Sequence, residues 1–158
     1  MKAASVSQLK QELKHLSKEE LIETCLTLSK FKKENKELLS YVLFYGTDED
    51  GFVEEVKNEI DDDLLLINSS SYYLMKKTIR KVLRNTKKYI RYSKKDESQV
   101  ELLLHFCKKM ADLSPSIKYS PMLINTYHRQ LAMAKNTIAK LHEDLQYDYL
   151  SEIENLKL

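Results

Sequence analysis

The chain contains 158 residues, of which 42% are hydrophobic and 32% are charged, and it has only two glycines and two prolines. This composition leaves few places for tight turns or strand ends, so it argues against a strand-rich fold and favours long helices. The formal net charge of +2 is too small to indicate a polyanionic partner by itself, so only the distribution of charge along the chain is informative.

The first 45 residues have the apolar spacing of three short helices. Ser17 and Glu20 form the S-x-x-E pattern of a capping box, which predicts the start of the second helix. The third helix is predicted from about Asn35 to Tyr45. The apolar faces of the three helices comprise Val6, Leu9, Leu13, Leu16, Leu21, Cys25, Leu28, Leu38, Leu39 and Val42.

The segment YGTDEDGFVEEV contains part of a calcium-loop pattern. With Gly51 at position six of an EF-hand, Asp48 and Asp50 occupy ligand positions three and five. Gly46 then replaces the first ligand, and Lys57 replaces the glutamate at position twelve, where its charge would repel the ion. We therefore predict a turn between helices: Gly46 ends one helix in the left-handed conformation, and Asp48 or Asp50 caps the next.

The same helical spacing continues through the middle of the chain. The run NSSS at 68–71 predicts a loop and the N-cap of a long fifth helix. A turn is predicted at Lys94–Glu97, and a sixth helix ends near Leu113. Pro121 favours the first position of the next helix. The apolar faces of the fourth and fifth helices comprise Phe52, Val56, Ile60, Leu64, Met75, Ile79, Val82 and Ile90.

An apolar seam with alternating steps of three and four residues follows Pro121. Such short heptad arrays in multi-helix domains are mostly intramolecular, so we predict a monomer, with a homodimer through 124–145 as the alternative. Asp148 interrupts the spacing, and a separate terminal helix is predicted around Tyr149 and Ile153. The seam comprises Ile124, Tyr127, Leu131, Ala134, Ile138, Leu141 and Leu145.

Four stretches in this order resemble an uncharacterised bacterial all-helical family of unknown function. They are LSKEELIE at 16–23, FKKENKELL at 31–39, TIRKVLRNTKKYI at 78–90 and ELLLHF at 101–106. The resemblance implies a helical-array fold and transfers no functional residues. Together with the helical spacing of the apolar residues, this resemblance predicts an all-α protein with a single domain over residues 1–158. We expect seven or eight antiparallel helices, packed as an irregular bundle or a short α-α superhelical array.

Residues that could support catalysis are scattered. Asp61–Asp63 point about 100° apart on a helix, so we predict a solvated, fraying helix end and no cation site. Cys25 and Cys107 form no CxxC pair and lie in apolar stretches, so we predict two reduced core residues. We expect a protein without enzymatic activity, cofactor or metal. The histidines show no metal-binding spacing and are His15, His105, His128 and His142.

The N-terminal residues 1–13 lack the apolar core of an export signal. The longest apolar runs, YVLFY and LLLI, are far shorter than the roughly 20 residues that span a bilayer. We therefore predict a cytoplasmic protein that does not interact with membranes.

Charge is strongly segregated between two neighbouring segments. Residues 76–95 contain ten lysines or arginines and no acid, whereas residues 48–63 contain nine acids and one lysine. Six of the cations step by three and four residues, so they are predicted to form a stripe opposite the apolar face of the fifth helix, with Tyr89 and Tyr92 beside its end. The stripe, our candidate site for a polyanion or an acidic partner, comprises Lys77, Arg80, Arg84, Lys87, Arg91 and Lys94.

Three interpretations of this stripe remain open. In the first, the stripe is a solvated face or is neutralised by the acidic segment 48–63. In the second, it binds an acidic protein. In the third, it binds nucleic acid or another polyanion. We predict a non-enzymatic helical protein-interaction or scaffold module with an unidentified protein partner. The alternative is nucleic-acid or other polyanion binding through the basic helix 76–95, and an enzyme is the third possibility.

Overall fold

A computed structural model of the protein describes residues 1–156 and 158. Within this described part, the chain forms eight α-helices and no strand, which confirms the all-α prediction. The helices divide into two compact units, Met1–Gly46 and Thr47–Leu158. The prediction of a single domain over 1–158 stays a prediction, and each unit is described by itself.

The first unit is a short helical array. Capping boxes begin its first two helices, with Ser5 paired to Gln8 and Ser17 paired to Glu20. The predicted start of the second helix is therefore confirmed. An extended residue, Lys32, separates the second helix from the third. The elements are α1 (Val6–Leu13), α2 (Lys18–Phe31), α3 (Lys33–Ser40) and a π-helical turn (Tyr41–Tyr45).

Gly46 does not have the predicted left-handed conformation. Its φ of −57° and ψ of −24° are those of a right-handed helix, so the left-handed prediction is wrong. A close approach explains the glycine better, because a Cβ there would lie 2.8 Å from the carbonyl oxygen of Val42. The predicted cap is confirmed: the Asp48 side chain accepts a hydrogen bond of 3.1 Å from the Gly51 amide.

The second unit is a bundle arranged around one central helix. Its helices are α4 (Glu49–Leu65), α5 (Tyr72–Ser93), α6 (Asp96–Ala111), α7 (Pro121–Ile138) and α8 (Glu143–Asn155). The helices α4, α5 and α7 all pack against α6. Half of the residues of α6 are buried, over roughly two thirds of the circumference of the helix, as expected for a helix that packs against several others. The predicted apolar faces of α4 and α5 are buried up to Val82, and Ile90 is half-buried.

The turn between α5 and α6 is shorter than predicted. Lys94 has the left-handed conformation with a φ of 57°, and Lys95 is extended. Asp96 and Glu97 already belong to the first turn of α6, where their charges face the positive end of the helix dipole.

The heptad seam at 124–145 does not lie on one helix. The helix α7 ends at Ile138, and His142 caps α8 by accepting a hydrogen bond from the Asp144 amide. The steps of three and four residues continue through this tight turn, so the spacing alone cannot reveal it. Three seam residues, Tyr127, Ala134 and Ile138, are buried within the second unit, which makes this part of the seam intramolecular core.

Only one of the two cysteines is a core residue. Cys107 is fully buried in α6, and burial raises the pKa of its thiol to about 12. Cys25 is exposed, so its assignment to the core is wrong. The reason is that α2 contains no buried residue, and its apolar face is not covered.

Candidate functional site

The acidic side chains of α4 are used to hold neighbouring helices. Toward α5, Asp63 pairs with Lys81 at 3.3 Å, and Glu59 accepts a hydrogen bond of 2.8 Å from the hydroxyl of Tyr89. Glu59 contacts Tyr89, whereas Asp63, one turn later on α4, contacts Lys81, which lies two turns earlier on α5. The two helices therefore form an antiparallel hairpin, and the contacts are made by the flank of α5 and not by the predicted stripe.

At the other end of this hairpin, Glu49 fastens the turn that follows α5. Its carboxylate accepts hydrogen bonds from the hydroxyl groups of Ser93 and Ser98, and it pairs with Lys95 at 3.1 Å. One side chain thereby connects the start of α4 to the end of α5 and the start of α6. This acid is engaged by three groups, none of which belongs to the predicted stripe.

Asp61 is only partly exposed and forms two ion pairs with α6. Its carboxylate lies 2.7 Å from both His105 Nε2 and Lys109 Nζ on α6. Partial burial raises the pKa of Asp61, but hydrogen bonds from Lys109 and His105 outweigh it, so the pKa lies below its ordinary value. The prediction of a fraying helix end at 61–63 is wrong, because α4 continues to Leu65 and both Asp61 and Asp63 are paired; Asp62 is solvated as predicted.

The predicted stripe is found on the solvent side of α5. Five of its members, Lys77, Arg80, Arg84, Lys87 and Arg91, share one face, which lies roughly 160° around the helix from the buried residues. We call these five residues the α5 basic face. All are exposed except Lys87, which is half-buried. The face is about 21 Å long from Lys77 to Arg91 at about 1.5 Å per residue.

Lys94 does not continue this face. It follows the last turn of α5, and its left-handed backbone removes it from the helical repeat. Nor do the two flanking tyrosines belong to the face: Tyr89 packs edge to face on Phe52 at 6.2 Å and contacts Tyr92 at 5.9 Å, both between ring centroids. These rings contribute to packing beside α4.

The structure adds one residue to the basic face that the sequence analysis missed. Tyr73 lies four residues before Lys77, and its side chain is 75% exposed. With Lys76, Lys77, Arg80 and nearby cations, it lines an open depression at the beginning of α5. The signal in the sequence was the helical spacing, because Tyr73 precedes Lys77 by one turn.

None of the five side chains of the α5 basic face forms an ion pair or hydrogen bond with any residue in the described part of the chain. The acids of α4 that contact α5 and the turn after it bind other residues there, namely Lys81, Tyr89, Ser93 and Lys95. The interpretation that segment 48–63 neutralises the stripe by direct pairing is therefore wrong.

A second candidate surface lies in the first unit. Tyr41 is its only buried residue, whereas many of its large apolar side chains are at least 40% exposed. Since apolar residues normally bury themselves in a core, such a concentration marks a surface that can bind a partner. The exposed side chains are Val6, Leu9, Leu13, Ile22, Leu26, Leu28, Phe31, Leu38, Val42, Leu43 and Phe44.

Helices α2 and α3 form a groove of about 460 Å³ within this surface. Its polar side chains already have partners, because Ser29 donates to the carbonyl of Leu26 and Asn35 donates to the carbonyl of Leu28, both at 2.8 Å. The remaining lining is mostly apolar. The α2–α3 groove is lined by Cys25, Leu28, Ser29, Asn35, Leu38, Leu39 and Val42.

A polar pocket of about 330 Å³ on the second unit has the features of a structural ion-pair network. Lys57 pairs with both Glu54 and Glu101 at 2.8 Å. Burial by itself would lower the pKa of Lys57, but the hydrogen bonds to Glu101 and Glu54 raise it by more. The pKa of Lys57 therefore lies above its ordinary value, and the ammonium group stays charged. The Tyr149 hydroxyl donates a hydrogen bond of 3.3 Å to Glu97, and burial raises the pKa of Tyr149. These side chains bind one another and connect α4, α6 and α8.

Two further properties bear on function. Among the residues that the structure describes, no three histidine, cysteine or acidic side chains are grouped so that they could hold a metal ion. No helix in the described part of the chain is both long and apolar enough to cross a bilayer.

Comparison of the chain with protein-family models, with curated proteins and with solved structures gave no significant match.

Proposed function

We propose that the protein is a non-enzymatic helical module that binds another protein through the α2–α3 groove, and that it acts in the cytoplasm. The observation that supports this function is the exposure of apolar side chains along a unit of 46 residues in which Tyr41 alone is buried. Exposed apolar area of this extent is costly in water and is retained where a partner covers it. Two free cysteines, Cys25 and Cys107, are compatible with a reducing compartment.

The partner that fits the groove is an amphipathic helix. The groove is formed by two helices, and a third helix can place apolar side chains from positions i, i+3, i+4 and i+7 between them. Because Ser29 and Asn35 donate their hydrogen bonds within the groove, a partner needs few polar groups there. Leucine or isoleucine side chains of such a helix would contact Leu28 and Leu38 on opposite walls.

Charge near the groove indicates how the partner helix is oriented. Four exposed lysines lie around the turn between α2 and α3, and only Lys33 forms an ion pair with a residue in the described part of the chain, with Glu37 at 3.5 Å. A partner helix with acidic residues at this end is attracted and oriented, mainly through a faster association rate. The other three lysines are Lys30, Lys32 and Lys36.

Binding can be measured with a synthetic amphipathic helix that has leucines at heptad spacing and glutamates at one end, by fluorescence anisotropy. Leu28→Gln removes an apolar wall of the groove, and we expect about tenfold weaker binding, equivalent to about 1.4 kcal/mol. Leu26→Gln is the matched control, because Leu26 is on the same helix, is 46% exposed against 58% for Leu28, and lies outside the groove. We expect the control to change affinity less than about threefold.

Two results would contradict this proposal. Equal losses in the two variants would mean that the groove is not the binding site. A dimer of the full chain that dissociates in Leu28→Gln but not in Leu26→Gln, measured by light scattering, would identify a second copy of the chain as the occupant.

A further inference from the structure

The α5 basic face is a second surface whose charge is not compensated. It carries five cations on the exposed side of one helix, and none of the five pairs with an acidic side chain in the described part of the chain. A row of positive charges on a low-dielectric support produces a positive potential that attracts polyanions. The α5 basic face shares no residue with the α2–α3 groove, so its binding can be tested independently of the groove.

The surroundings of the face favour a nucleic acid over an acidic protein. Protein interfaces have an apolar centre bordered by polar residues, whereas nucleic-acid interfaces are polar and strongly positive. Along α5, Tyr73 is the only large hydrophobic side chain that is highly exposed; Leu65 and Leu66, before the helix, and Tyr119, after α6, are exposed as well. The middle of the α5 basic face therefore contains no exposed apolar side chain of α5, whereas a protein partner usually packs on an apolar centre.

The spacing of the cations suits a phosphate backbone. Successive members are three or four residues apart, which places them about 4.5 to 6 Å apart along the helix. Arg80, Arg84 and Arg91 present planar guanidinium groups that can bind phosphate oxygens through two hydrogen bonds. Each phosphate that they neutralise releases counterions, which drives binding at low salt.

Tyr73 indicates that the nucleic acid is single-stranded. Its exposed ring lies in line with the cations, at the beginning of α5. Aromatic side chains at the edge of a basic groove stack on unpaired bases, which a duplex does not offer. We propose that the α5 basic face binds the phosphate backbone of a single-stranded nucleic acid and that Tyr73 stacks on one of its bases.

The experiment measures binding of the full chain to fluorescein-labelled oligothymidylate as a function of salt. Lys77→Gln, Arg84→Gln and Lys87→Gln together remove three charges from the face. For a single strand the slope of log affinity against log salt is about −0.7 per phosphate contact, so we expect this variant to lose about two units of slope. The matched control also removes two lysines and one arginine, all exposed and outside the face: Arg129→Gln, Lys135→Gln and Lys140→Gln.

The tyrosine is tested separately from the charges. We expect Tyr73→Leu to weaken binding about tenfold at constant salt slope, because it removes stacking and no charge. Tyr73→Phe should retain the affinity of the wild type. Circular dichroism of every variant shows whether the helices are intact.

Several outcomes would overturn the proposal. One is an absence of oligothymidylate binding at low salt, and another is an equal effect of the face variant and its control. Stronger binding of polyglutamate than of oligothymidylate, with no effect of Tyr73→Leu, would assign the face to an acidic protein. Preferential binding to phosphatidylserine vesicles would assign it to a membrane surface.

Discussion

Shortening Ile138 to alanine tests whether the end of the heptad seam is intramolecular core. Ile138 is only 1% exposed and belongs to a cluster with Val100, Leu103 and Ile153, which come from α6 and α8. The substitution removes three buried carbons, worth about 0.8 kcal/mol each, and leaves a cavity, so we expect a loss of about 3 to 4 kcal/mol. Leu131→Ala removes as many carbons, but Leu131 is half-buried, so we expect about half that loss.

Urea unfolding followed by circular dichroism measures both losses. The slope of unfolding free energy against urea should stay the same in both variants, so that a shift in midpoint reports stability. Two protein concentrations about tenfold apart distinguish core from interface, because only a dimer has a midpoint that depends on concentration. A concentration-dependent midpoint in the wild type that disappears in Ile138→Ala would refute the intramolecular assignment. Equal losses at Ile138 and Leu131 would refute the burial argument.

Two further predictions concern titratable groups. A thiol reagent should modify one cysteine of the native protein and two after denaturation, because Cys25 is exposed whereas burial raises the pKa of Cys107 to about 12; rapid native modification of both thiols would contradict the buried position of Cys107. For Asp61 the folded pKa is depressed below its ordinary value of 3.8, so its stabilising contribution is present above about pH 5 and is lost as the pH falls through the folded pKa. The difference in unfolding free energy between wild type and Asp61→Asn should therefore shrink between about pH 5 and pH 3, and a constant difference would argue against the contacts with His105 and Lys109.

Local signals in the sequence predicted the helices well. The capping box at Ser17 and the N-caps at Asp48 and Ser71 are found as predicted, because each depends on hydrogen bonds within four residues of the chain. The turn at 139–142 was missed because the local spacing of apolar residues gives no sign of it. It preserves the steps of three and four residues, so periodicity does not detect where α7 ends and α8 begins.

Burial was harder to predict than helix position. Helical spacing placed Cys25 and Leu28 on one face of α2, but it cannot tell whether another element covers that face. Similarly, the spacing placed Asp61 on α4, but the contact with His105 depends on how α4 packs against α6. Such pairings arise between residues far apart in sequence, and a single sequence contains no direct signal for them.

The distribution of charge shows why a near-neutral chain can still present a strongly basic surface. The acidic segment offsets the basic helix in the net charge, but two of its carboxylates, Glu49 and Asp61, hold together helices within the second unit. Packed helices lie about 8 to 10 Å apart, and the α5 basic face is on the far side of α5 from the buried residues. None of its cations pairs with a carboxylate of α4 in the described part of the chain. At about 0.15 M salt the Debye length is about 8 Å, so the charges nearest to this face matter more for binding there than the net charge of +2 of the whole chain.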